Sequence, residues 1–493
     1  MLDEWNSYLV SFDTDRIKEY LFATNRLKEI RGASAILVEL DKNRESELKG
    51  LGADVVYSAG GGASALVEKP EQAKQIIFNL EKKFREATHT ASITGISLEP
   101  EKQTDPQQKQ SFGRRMREAG ENLRRVKSRK ADLVFLPTEP YFRLCDSCGQ
   151  YPASKRAKDD GDLLCISCFT KREEGHEDKA AQYRRFMKKA NEEAEKIWDI
   201  RNLPKDLNAI GEVSRPPNYI GFIAIDGNDM GSLLEKLPRK STYGEYSDGL
   251  QHLVRDLTYS ALAKHGKPRR EVAPFEIVLI GGDDLMLFTA ADIAIPVAQQ
   301  ILQEFEDQSP ELLRRVGLAS ERKKLTMSAG VVLAHANYPI PALHTMAEQL
   351  LKSAKRLAAQ TKYAVGAIDF QAVTSSAMEL SSARQGVPHR RPYTRDELER
   401  LLHHIRQLKA VDFSTSALQA IYQALFETSH NQSTLTTLRI IARAEKEKRL
   451  ALLEFMHDFT KLEEKEVPYP WTSLDVPRRA ALLDLVELYP FIK

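Results

Sequence analysis

A chain of 493 residues allows three or four domains, and 42% apolar with 29% charged residues is the balance of a globular chain that meets water. The net charge of +2 neither requires nor excludes a nucleic-acid partner. No uninterrupted apolar run is long enough to span a bilayer, and the N-terminal MLDEWNSYLVSF starts acidic, without a basic segment leading into an apolar one. No secretory signal is therefore read, and the cytoplasm is the expected compartment.

In chain order, SYLVSFDTDRIKEYLF (7–22) reads as a strand and then a helix, with an acidic junction at Asp13 and Asp15. DVVYSAGGGASALVE (54–68) reads as strand–turn–strand around three glycines, Gly60, Gly61 and Gly62. An amphipathic helix (71–88) and a further strand (91–99) complete this unit. GRRMREAGENLRRVKSRK (113–130) carries eight basic and two acidic residues. Such a helix could track phosphates, but it is also what a solvated helical face looks like, and no aromatic residues interleave for base stacking.

The chain has 4 cysteines, Cys145, Cys148, Cys165 and Cys168, spaced C-x2-C-x16-C-x2-C. That spacing brings four thiolates together around zinc as in a zinc ribbon; a closed four-thiolate site supports folding rather than chemistry. Disulfides or a redox pair fit poorly in a reducing compartment. A charged helical stretch (180–200) follows, and SRPPN (214–218) marks the next boundary.

YIGFIAIDGNDMGSLLEKL (219–237) is an apolar strand ending at Asp226-Gly227-Asn228-Asp229, after which Met230-Gly231 opens a helix. FEIVLIGGDDLMLFTA (275–290) is a hairpin with Gly281, Gly282, Asp283 and Asp284 at its turn. KLTMSAGVVLAH (324–335) is a strand and IPALHTMAEQLLKSAKRLA (340–358) a helix. The order of elements repeats that of residues 7–99. Laying Gly60-Gly61 on Gly281-Gly282 sets Gly62 and Ala63 against Asp283 and Asp284, so one copy keeps the hairpin carboxylates and the other lacks them. From about residue 376 the pattern is helical to the end.

Two adjacent carboxylates in an apolar run repel each other and are costly to desolvate unless a cation sits between them. A palm-type catalytic domain gathers carboxylates from a strand end and a neighbouring hairpin to hold two divalent cations about 4 Å apart. Asp226 with Asp283 and Asp284 has that arrangement. Gly281 and Gly282 let backbone approach a nucleotide, and Lys355 is placed to reach a triphosphate. Ser328 either contacts nucleotide or ends a strand interaction. Gly and Asp are equally what an exposed hairpin turn favours, but the flanking strands are apolar on both faces, as in a buried central strand.

Six stretches in this order, FDTDRIKEYLFATNRLKEIRGAS, AGGGAS, the four-cysteine module, IAIDGNDMGSLL, IGGDDLMLF and LTMSAGVVLAH, resemble the large palm-domain subunit of type III CRISPR effector complexes, the Cas-ten family. The resemblance covers roughly residues 7–375 and implies an α+β fold. It comprises a first ferredoxin-like, nucleotidyl cyclase-like palm (1–140), a zinc module and helical linker (141–215), a second palm with the GGDD hairpin (216–375) and a helical C-terminal domain (376–493). It also implies a metal-dependent nucleotidyltransferase that joins ATP into cyclic oligoadenylates. Asp226, Asp283 and Asp284 would hold Mg2+ or Mn2+. Gly60, Gly61, Gly62, Gly281, Gly282, Ser328 and Lys355 would line nucleotide, and zinc would be structural. Partners would be ATP, other effector subunits and guide and target RNA, with no membrane.

Where many relatives begin with an HD nuclease domain, this chain starts directly at the first palm, so DNA cleavage is not expected; His457-Asp458 sits in a helix pattern that explains it by packing. The second carboxylate of the strand-end motif stands one residue later than the family pattern, which puts Asp229 in doubt as a ligand. The competing functions are a catalytically silent RNA-guided scaffold, or synthesis of a different cyclic dinucleotide.

Overall fold

The computed structural model describes residues 2–101, 111–130, 142–176, 180–193, 196–373, 379–387, 389–426, 430–460 and 479–493. Its N-terminal unit runs β1 (Tyr8–Asp15), α1 (Ile17–Leu21), α2 (Leu27–Gly50), β2 (Asp54–Ala59), β3 (Gly62–Val67), α3 (Pro70–Thr88), β4 (Ser92–Leu98) and α4 (Phe112–Arg129). The strands form an antiparallel sheet in the order β2-β3-β1-β4. The cysteine module adds β5 (Lys155–Arg156), β6 (Leu163–Leu164) and α5 (Ile166–Glu174), followed by α6 (Ala181–Glu193) and α7 (Leu207–Glu212).

The next unit runs β7 (Tyr219–Gly227), α8 (Met230–Leu234), α9 (Lys240–His265), β8 (Phe275–Gly281), β9 (Asp284–Ala290), α10 (Ala291–Arg315), β10 (Met327–His335), α11 (Ile340–Gln360), β11 (Ala367–Ala372), α12 (Leu380–Ala383) and β12 (Tyr393–Thr394). Its sheet order is β12-β11-β10-β7-β9-β8, so the four strands β8-β9-β7-β10 repeat the order β2-β3-β1-β4. The segment after residue 375 is otherwise helical: α13 (Arg395–Ala410), α14 (Thr415–Ala424), α15 (His430–Arg443), α16 (Lys446–Thr460) and α17 (Ala481–Leu488). The short β12 returns this segment to the second sheet as an edge strand beside β11.

The apolar runs of β7 and β9 follow from burial on both faces. Side chains alternate between faces with a period of two, and cross-strand partners share a face. Gly221 faces Ala294 of α10, whereas Gly330, paired with Ala224, faces Ala347 and Leu350 of α11. The odd-numbered positions of β7 therefore meet α10 and the even-numbered ones, Asp226 among them, meet the α11 side.

The two hairpins touch tip to tip. A Cβ on Gly60 would lie 3.2 Å from the Gly281 carbonyl carbon, and one on Gly281 would lie 3.1 Å from Gly60 Cα. The exchange around this contact is reciprocal. Helix α2 of the first unit reaches β8, where Arg31 pairs with Glu276 at 2.5 Å. Helix α9 of the second reaches β2, where Lys240 pairs with Asp54 at 2.5 Å.

Register corrects one detail of the sequence comparison. Ala59 pairs with Gly62, and Gly281 with Asp284, so the turn residues are Gly60-Gly61 and Gly282-Asp283. Asp283 and Asp284 therefore correspond to Gly61 and Gly62, not to Gly62 and Ala63. Matching identical glycines is off by one position, because turn placement is set by cross-strand pairing rather than by residue identity. The first hairpin still lacks carboxylates.

Helix α5 lies directly on α2. A Cβ on Gly32 would fall 1.7 Å from the Lys171 carbonyl oxygen, and one on Gly175 would fall 1.9 Å from that of Lys28. Gly32→Ala is accordingly expected to force the two backbones apart and to destabilise the protein by about 2 kcal/mol or more. Chemical denaturation checks this, with Gly50→Ala, whose Cβ would meet nothing within 4 Å, as the control.

Candidate active site

The GGDD hairpin turns because Gly282 takes φ of 60°, and the residue after it does not take a positive φ. Glycine at the first central position is what a type II′ hairpin requires. This places Asp283 at the turn and Asp284 as the first residue of β9. Ile225 pairs with Leu285, so Asp226 is the next residue along β7 beside Asp284. Asp283 lies over the backbone of Gly227, where a Cβ would sit 2.4 Å from its Oδ2. The chain therefore keeps glycine where any side chain would displace this carboxylate.

Burial, then Asp226 and Asp284, push Asp283 up to about 7, with Lys355 opposing. Burial likewise pushes Asp284 up to about 6; Lys18 opposes, while Asp226 and Glu348 add to the rise. Each outer carboxylate is held by a lysine. Lys355 Nζ donates to Asp226 Oδ2 at 2.5 Å. Lys18 Nζ, from the first unit, lies 3.3 Å from Asp284 Oδ2 and donates to Glu348 Oε1 at 2.7 Å. Asp284 Oδ1 is buried with no hydrogen-bond partner.

Three carboxylates with an orphaned buried oxygen fit hard divalent cations such as Mg2+ or Mn2+. They are spread rather than gathered at one point. Among the described residues, only the four cysteines bring ligand atoms all within 4.8 Å of one another.

The raised pKa values carry a sign. A carboxylate with a folded-state pKa above its ordinary value of 3.8 stabilises the fold while protonated and loses that contribution as pH rises through 6–7. A cation must displace those protons. Mn2+ affinity, measured by titration calorimetry, is thus expected to climb between about pH 5.5 and 7.5 and to level off above about pH 8.

The remaining residues read from the sequence divide. Gly60, Gly61 and Gly281 line a cavity of about 340 Å³ between the hairpins, together with Lys18, Asp13 and Asp284. Gly62 does not line it; its carbonyl accepts from Arg44 at 3.0 Å. Gly282 faces open space. Ser328 shares a face with Asp226 but is fully buried and donates to Asn228 Oδ1 at 2.9 Å, so it braces the strand end. Asp229 accepts from Ser232 at 2.7 Å and from Arg322 at 2.5 Å, which turns it into an ion pair. Asp458 binds Arg400 at 2.6 Å and His404 at 3.1 Å, and these are packing contacts between α13 and α16.

Sequence reasoning named Lys355 but missed the other cations. In the first sheet Asp13 pairs with Gly62, the counterpart of Asp284, so Asp13 holds the position of Asp226. It too carries a lysine: Lys127 Nζ donates to Asp13 at 2.6 Å. Lys130 lies 3.2 Å from Asp15. Arg115 is buried and donates to the carbonyls of Ser7 at 2.6 Å and Glu99 at 3.1 Å. The basic helix α4 and the lysine that follows it thus spend several charges on partners within this unit, with Arg115 buried among them. The acidic junction at Asp13 and Asp15 was the available signal for this.

At the cysteine module, Cys148 and Cys165 sulfurs lie 3.9 Å apart, close to the edge of about 3.8 Å that a tetrahedral Zn–S site requires. The cluster is compatible with structural zinc. Cys165 also caps α5, accepting from the Cys168 amide at 3.4 Å.

Residues 219–364 match the family described as Cas10/Cmr2, second palm domain. That stretch carries a Cas10/Cmr2 second palm domain and spans well under half of the chain. It is 25% identical over 209 residues to the CRISPR system Cmr subunit Cmr2 of Pyrococcus furiosus, a match spanning 37% of this chain and 22% of that relative. A Csm1–Csm4 cassette solved in complex with AMPPNP is similar over 99% of this chain and 70% of that one, with a TM-score of 0.58 at 13% identity. A Csm1–Csm4 cassette in complex with cA3 is similar over 100% of this chain and 70% of that one, with a TM-score of 0.58 at 12% identity. These likenesses establish a Cas10-type fold with palm-like sheets. Among the described residues no helix is long and apolar enough to cross a membrane.

Proposed function

We propose that the chain is a metal-dependent nucleotidyltransferase that joins ATP through 3′–5′ bonds into cyclic oligoadenylates in CRISPR antiviral defence. The observation that carries the reading is that Asp284 lines the cavity between the two hairpins with its Oδ1 left without a partner, while Asp226 and Asp283 stand beside it close enough to raise its pKa or share its repulsion. Those carboxylates would hold Mg2+ or Mn2+, which supply Lewis-acid activation of a 3′-hydroxyl and neutralise a departing pyrophosphate.

The chain's own groups do the rest. Lys355, now on Asp226, would meet triphosphate oxygens. Gly60, Gly61 and Gly281 leave backbone without side chains along the cavity, so a nucleotide can approach closely. The first palm has Gly61 and Gly62 in place of the acid pair and would bind nucleotide without catalytic metal. The attacking group is the substrate's own hydroxyl, so no side-chain nucleophile is needed. Support comes from the AMPPNP and cA3 complexes of the Csm1–Csm4 cassette, in which a second effector subunit is present; this chain would likewise work beside other effector subunits, and guide and target RNA are proposed from the sequence resemblance alone.

The test is incubation of the purified chain with labelled ATP and Mn2+ or Mg2+, products being resolved by mass spectrometry. Oligoadenylate from the wild type but not from Asp283→Ala/Asp284→Ala is expected. Absence of both product and metal-dependent ATP binding contradicts the reading.

A further inference from the structure

Among the described residues, Lys18 is the one lysine of the first palm that lines the inter-palm cavity. Its two acidic partners both belong to the second palm: Glu348 on α11 at 2.7 Å and Asp284 of the hairpin at 3.3 Å. Helix α1, which carries it, is anchored there independently. Phe22 stacks on His344 of α11 with ring centroids 4.6 Å apart and meets Phe222 of β7 edge-on at 5.5 Å. The ammonium is therefore delivered to the acid pair by a fixed element, not by a long side chain wandering over a surface. Glu348 is its nearer partner, so Lys18 can stay in place if Asp284 turns toward another cation.

We propose that Lys18 is a trans-palm selectivity residue that makes the hairpin site favour a metal–triphosphate complex over a free divalent ion. This rests on the nucleotidyltransferase reading above. A fixed positive charge within 4 Å of Asp284 repels a bare divalent cation on that carboxylate and attracts the polyanionic phosphates that would enter the same cavity. The two effects have opposite signs. A residue that merely held the palms together would weaken both kinds of binding when removed.

The experiment uses the full chain and two titrations, Mn2+ alone and Mn2+ with a non-hydrolysable ATP analogue, on the wild type, Lys18→Gln and Lys18→Arg. Lys18→Gln is expected to bind Mn2+ alone several-fold more tightly and the Mn2+–analogue complex roughly tenfold more weakly. Lys18→Arg keeps the charge and should restore both affinities toward wild type. Loss of both affinities in Lys18→Gln, or no change in either, overturns the selectivity role and leaves the nucleotide site standing. A wild type that binds Mn2+ but no analogue overturns the nucleotidyltransferase reading and this proposal with it.

Discussion

Replacing Asp283 and Asp284 together with alanine is expected to lower ATP turnover on the order of 10³-fold or more while leaving the melting temperature unchanged or raised. The two halves of this result have one cause. Burial and mutual repulsion raise both pKa values, so in the metal-free protein the pair opposes folding wherever it is ionised. Alanine removes that penalty together with the ligands. A structural hairpin turn would behave in the opposite way, losing stability with no effect on chemistry. Turnover of labelled ATP and a thermal melt of the same preparations distinguish the two.

The second large effect is at the cysteine module. Cys165→Ser is expected to release zinc, read with a metallochromic chelator, and to lower the first melting transition by about 10 °C or more. The cluster fixes α5, and α5 in turn fixes α2. Arg172 and Glu29 form an ion pair at 2.7 Å with side chains only 5% and 0% exposed, and Lys171 donates to the Tyr20 carbonyl at 2.6 Å. Loss of α5 would strand Glu29 as a buried, unpaired charge. Because α2 also carries Arg31 to Glu276 on the strand leading into the GGDD turn, the same substitution should reduce ATP turnover. Retained zinc, or an unshifted transition, would remove the module from the support of the site.

What was legible in the sequence is what local pattern encodes. The strand runs around Asp226 and the GGDD pair, the turn glycines and the C-x2-C spacing each lie within a few residues of one another, and each sits where its pattern indicates. Lys355 was legible as a candidate, but the cations that reach across the chain were not. Lys18 meets Glu348 across 330 positions and Arg31 meets Glu276 across 245, and nothing local marks either partner. Lys127 was hidden in a basic helix that composition describes equally well as a solvated face. Ser328 was legible as a residue but not as a role, because only the strand pairing shows that its hydroxyl is taken by Asn228. The first hairpin's correspondence was off by one for the same reason.

The central claim is that Asp226, Asp283 and Asp284 jointly hold divalent cations at the mouth of an inter-palm nucleotide cavity. It is tested most directly by an anomalous difference map of crystals grown with Mn2+ and a non-hydrolysable ATP analogue. The account predicts manganese peaks bounded by these three carboxylates, with the analogue's phosphates between the two hairpins. Nucleotide bound elsewhere, or manganese absent from the acid pair while the analogue is in place, would contradict it.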